Sequence, residues 1–81
     1  MVLFVESAFK HGYEKEDFFE VLETGPMKLR SRRGLEGIYE LLCRMHIGEY
    51  LHIAYRHEPD QTVVFHMRVM TPAERARYRK R

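Results

Sequence analysis

Residues 50–57 and 62–69 each alternate in side-chain character with a period of two, and Pro59-Asp60 stands between them. In the first run Leu51, Ile53 and Tyr55 interleave with Tyr50, His52 and Ala54. In the second, Val63, Phe65, Met67 and Val69 interleave with Val64, His66 and Arg68. Alternation of this kind places successive residues on opposite faces of a strand, and proline pre-sets φ for the second position of a turn. Two strands joined so closely pair antiparallel, which commits the chain to a sheet built around this hairpin.

The remaining elements are read against that hairpin. Residues 38–45 form a further strand, with the HIGE segment as the turn into residue 50. Residues 2–5 make a short first strand whose unrelieved apolar run suits a strand covered on both faces. Residues 27–30 are a brief strand or an extended arm. Two helices complete the set. Over residues 14–23, Phe18, Val21 and Leu22 fall on one stripe that Phe19 widens, with Glu14, Glu16 and Asp17 at the end where the helix dipole favours negative charge. Gly25-Pro26 ends that helix. A second helix begins at Pro72, with Thr71 and Glu74 spaced as a capping box. Its sparse apolar surface predicts that it lies against the sheet. The expected fold is one α+β domain over residues 1–81: a twisted antiparallel sheet of three or four strands, an early helix and a short C-terminal helix.

Charge is unevenly spread. The last fourteen residues carry six basic groups against Glu74 alone, net +5, while residues 1–67 carry eight basic and eleven acidic groups, net −3. A basic end of this kind points to a polyanion or an acidic protein partner, although solvated helices also carry such charge. The single cysteine, Cys43, excludes an internal disulfide and reads as a buried small hydrophobe. The opening MVLFVE is too short for a membrane span or a signal sequence. A cytoplasmic, non-membrane protein is expected.

Three stretches together resemble a known family. Lys10, His11 and Gly12 lead into the early helix. Phe65, His66, Met67 and Arg68 close the last strand. Thr71, Glu74, Arg75 and Tyr78 open the final helix. In this order they resemble the BrnT-type toxins and their small relatives in the RelE/ParE-like superfamily, with His66 standing where that pattern has serine. The resemblance implies a RelE-like fold and an endoribonuclease activity that restrains translation. It also implies a cognate antitoxin, often one with a ribbon-helix-helix DNA-binding domain.

Residue chemistry is compatible with that implication. Metal-free RNA cleavage needs a proton acceptor for the 2′-OH, cations for the charge growing on phosphorus, and a donor for the leaving oxygen. Arg68 and Arg77 suit a phosphate clamp because guanidinium offers a bidentate fork. His66, two residues from Arg68 on one strand face, titrates in the useful range. Glu74 is either a base or the group that holds an arginine in place; beside several arginines its carboxyl should be lowered, which favours the second role. Tyr78 is a proton donor, a stacking platform or a packing residue. Lys28, Arg30, Arg32 and Arg33, together with Arg75, Arg79, Lys80 and Arg81, are the candidate RNA-backbone contacts. Glu74 is the only acid in the last twenty residues, so no metal site and no cofactor are expected. The competing reading is a non-catalytic module of the same shape that binds protein or nucleic acid, with Arg68–Glu74 as a structural ion pair. His46, His52 and His57 read as ordinary strand or turn positions.

Overall fold

A computed structural model describes residues 1–30 and 36–80. The chain runs β1 (Val2–Phe4), a 3₁₀ turn (Glu6–Phe9), α1 (Lys15–Leu22), β2 (Met27–Arg30), β3 (Ile38–Arg44), β4 (Tyr50–Glu58), β5 (Gln61–Val69) and α2 (Pro72–Arg79). It is a small α+β domain with an early helix, a mixed sheet and a short C-terminal helix.

The strand order is β1-β5-β4-β3-β2. The β2–β3, β3–β4 and β4–β5 pairs are antiparallel, as the turn spacing requires. Two features depart from expectation. The sheet has five strands, because residues 27–30 pair with β3 and do not form a free arm. It is also not wholly antiparallel: β1 lies parallel to β5, with Leu3 opposite Val63. A parallel neighbour needs a long connection, and the rest of the chain supplies it. As the edge strand, β1 leaves Leu3 42% exposed, so it is not covered on both faces.

The larger core lies between the sheet and the segment containing α1. Phe18 and Val21 of α1 join Ala8, Leu41, Cys43, Leu51, Ile53, Val64 and Met67 there. The helical stripe is narrower than its sequence suggests, since Phe19 and Leu22 remain about half exposed. Glu14 caps α1, its N–H donating to Asp17 Oδ2 at 2.7 Å. The smaller core lies under α2, where Tyr78 meets Leu42 and Met70, flanked by Met27, Leu29 and Tyr50. The capping box is formed as expected: Glu74 N–H donates to Thr71 Oγ1 at 3.2 Å, and Thr71 N–H to Glu74 Oε1 at 2.9 Å.

A bulge in β5 corrects the simple alternation. Ala54 pairs with His66 but Tyr55 pairs with Val64, which leaves Phe65 as the extra residue. An extra residue reverses side-chain parity beyond it. Val64 and Met67, expected on opposite faces, therefore share the larger core. His66 and Arg68 keep the face that carries α2.

Cys43 is fully buried, donates its thiol to Leu51 O at 3.3 Å, and is pushed up to about 12 by burial, which makes it a packing residue and an inert thiol. Among the described residues no helix is long and apolar enough to cross a membrane.

Candidate active site

His66 and Arg68 project from β5 beside the N-terminus of α2, and the capping geometry of that helix determines what they meet. Because Glu74 folds back to cap Thr71, its carboxylate faces the sheet. Arg68 grips it with both terminal nitrogens, Nη1 to Oε1 at 2.8 Å and Nη2 to Oε2 at 2.9 Å, and Nη1 also donates to Val69 O at 3.0 Å. Guanidinium has five N–H donors in a planar fork. Nη2 gives one of its two hydrogens to Glu74; the other, together with the Nε hydrogen on the side edge of the guanidinium, has no partner among the hydrogen bonds of the described residues, so one fork is anchored and the side fork is open.

Beneath this pair lies a group that sequence inspection did not find. His52, directly opposite Arg68 on β4, is 4% exposed. Its Nε2 lies 2.6 Å from Glu40 Oε1 on β3 and 3.8 Å from Glu74 Oε2. A carboxylate only accepts, so the shared proton belongs to Nε2, and Nδ1 is buried without a partner. Glu40, His52 and Glu74 each bring a ligand atom within 4.8 Å of the others, a grouping that arises from three different elements. Glu40 is engaged by His52 and Glu74 by Arg68, so both carboxylates already have protein partners.

The histidines continue as a row. The His66 ring meets His52 edge to face at 5.8 Å and His11 at 5.6 Å. His11 arrives because the segment after β1 follows β5, where Ser7 Oγ donates to Phe65 O at 2.9 Å, and Gly12 turns the chain with φ +87°. Burial lowers the His66 pKa, and the charges of His52, Arg68 and His11 lower it further against the opposing effect of Glu74. At neutral pH His66 is an uncharged imidazole able to accept a proton.

Burial alone would raise the Glu74 carboxyl. The hydrogen bonds from Arg68 and from the Thr71 backbone, with the charges of His52 and Arg68, outweigh it and hold the group at about 2. The carboxylate is a clamp for Arg68 and a poor base. Its lowered pKa stabilises the fold above the ordinary carboxyl value of 4.5, and that stabilisation is lost as pH falls toward about 2. After allowance for partial exposure the effect is on the order of 2 kcal/mol. Urea unfolding of Glu74→Gln is expected to show this loss at pH 7 and a flatter stability profile from pH 5 to pH 2. Profiles parallel to the parent's would refute the assignment.

The other expected residues separate. Tyr78 is buried on the sheet side of α2, edge to face with Tyr50 at a centroid separation of 5.9 Å, so it packs. Arg77 is exposed, and no hydrogen bond or ion pair among the described residues ties it to Arg68 or Glu74. Arg75 and Arg79 lie over the Tyr50 ring at 4.6 and 5.8 Å. Lys80 is exposed at the end of α2. Lys28 and Arg30 pair with Leu41 and Tyr39, on the sheet face away from α2, and Lys28 caps the Tyr39 ring at 4.5 Å. The candidate RNA contacts are thereby split between two faces. Arg32, Arg33 and Arg81 lie outside the described residues.

No family model matches the chain, and neither a curated protein nor a solved structure is found to match it.

Proposed function

We propose that this chain is a metal-independent endoribonuclease of the BrnT type, within the RelE/ParE-like toxin superfamily. It acts on RNA in the cytoplasm, restrains translation, and is held in check by a cognate antitoxin, with a ribbon-helix-helix DNA-binding protein as the expected class. The observation that carries this reading is the open Nε–Nη2 fork of Arg68, fixed by Glu74 next to the neutral His66. It is supported by the meeting in space of two motifs behind the resemblance, His11 and His66, from opposite ends of the chain.

In this reading a phosphodiester docks on the open fork of Arg68. His66 takes the proton from the 2′-OH, whose oxygen attacks phosphorus, and the 5′ oxygen leaves with a proton from His11. The product is a 2′,3′-cyclic phosphate. Arg68 stabilises the charge that grows on the phosphoryl oxygens. Two-metal chemistry calls for several oxygen ligands around a pair of cations, and the two carboxylates here are taken by His52 and Arg68.

Cleavage of a chimeric oligonucleotide with a single 2′-OH tests the reaction. Activity in chelator and loss on replacing that 2′-OH by hydrogen are expected; cleavage that persists without it, or that depends on added magnesium, would refute the route. The acid limb of kcat/KM should have its midpoint below the ordinary histidine value of 6.5, because neutral His66 is the active form and its pKa is lowered. A midpoint above 6.5 would remove His66 from this role.

A non-catalytic RNA- or protein-binding module is the second reading. The bidentate Arg68–Glu74 pair and the buried Tyr78 favour it. RNA binding without cleavage by the pure protein would select it.

A further inference from the structure

Three arginines surround the ring of Tyr50. It stands at the start of β4, directly opposite Arg44, the last residue of β3. The Arg44 guanidinium lies 5.2 Å from its ring centroid, with Arg75 and Arg79 on successive turns of α2 at 4.6 and 5.8 Å. Among the described residues none of these arginines pairs with a carboxylate; Arg44 Nε donates to Gly48 O at 3.3 Å. The adjacent acid, Glu49, is engaged by the Tyr13 hydroxyl. Three cations gathered on one aromatic ring repel one another, although the ring face offsets part of that cost. The Tyr50 hydroxyl registers the same field: Arg79's hydrogen bond lowers its pKa, as do the charges of all three arginines.

We propose that Arg44, Arg75 and Arg79, arranged around Tyr50, form a binding site for a phosphate group. Guanidinium forks match phosphate oxygens in pairs, and the tyrosine ring gathers the three guanidinium groups within 5.8 Å of one centroid. Tyr50 and His52 share a sheet face two residues apart, roughly 6.6 Å along the strand, so a strand seated here runs toward His66 and Arg68. The assignment does not require the chain to cleave RNA.

Two ligands separate the sources of phosphate: inorganic phosphate by calorimetry at constant ionic strength, and a fully 2′-O-methylated oligonucleotide by fluorescence anisotropy. The second resists 2′-OH-dependent cleavage, so an inactive protein still gives a valid result. Arg44→Gln and Arg79→Gln should each weaken binding roughly tenfold, with Tyr50→Phe retaining the ring as a check on packing. Arg56→Gln, which removes the same charge from the far end of β4 where Arg56 pairs with Glu58 at 2.7 Å, should change binding by less than about twofold. Sensitivity in the phosphate arm alone assigns the site to free phosphate; sensitivity in the oligonucleotide arm assigns it to nucleic acid. Arg44 and Arg79 variants that match Arg56→Gln for both ligands would overturn the proposal.

Discussion

On the proposed nuclease function, Arg68→Ala is expected to slow RNA cleavage by about 10²–10³-fold, the usual effect of removing one preorganised donor from a developing oxyanion. The same substitution strips Glu74 of its bidentate partner, so stability must be measured beside activity. Leaving a partly buried carboxylate without its hydrogen bonds costs about 1–3 kcal/mol, which a domain of this size survives at low temperature. Arg68→Lys separates the two effects. Lysine retains the charge near Glu74 but cannot grip one anion while presenting a second planar fork to another. It should recover most of the stability and little of the cleavage. Cleavage by Arg68→Ala within about threefold of the parent, measured with folded protein, would end the assignment of Arg68 as the phosphate clamp.

Met67→Ala is expected to destabilise the domain by about 2–5 kcal/mol, because Met67 is fully buried in the larger core and its removal leaves a cavity. A chain of 81 residues has a total stability of roughly 4–12 kcal/mol, so this one substitution consumes much of it. At about 4–8 °C per kcal/mol, thermal unfolding should begin at least ~8 °C lower. Val69→Ala, two positions along and 54% exposed, should fall within about 0.5 kcal/mol of the parent. Val64→Ala should resemble Met67→Ala and couple to it, since the bulge brings both side chains into one core. Additive effects of Val64→Ala and Met67→Ala would argue against the bulged register.

Local signals made much of the fold legible. The strands of the central hairpin are present within a residue of their sequence bounds, because two-residue alternation and a proline turn are properties of neighbouring residues. The same holds for α2, whose capping box is complete within four residues. The sequence also pointed to Glu74 as a holder of arginine, and its carboxylate accepts two hydrogen bonds from Arg68. It could not reveal that β1 lies parallel to β5, since pairing across some sixty residues leaves no local periodicity.

The candidate site divides in the same way. His66, Arg68 and Glu74 are close in sequence, and a strand end followed by a capped helix brings them together almost by geometry alone. His52, Glu40 and His11 join them only through the sheet register and the path of the chain along β5. Arg44 reaches Tyr50 in the same way, whereas Arg75 and Arg79 stand four residues apart on one helix and so share a side of it. The sequence by itself determined the hairpin, the two helices, the basic C-terminal end and the His66–Arg68–Glu74 segment, because each is written in residues within a few positions of one another. Only the tertiary structure decided which face each strand residue occupies beyond the bulge, which histidines meet, and which arginines gather on one ring, because those depend on long-range pairing that only the folded sheet supplies.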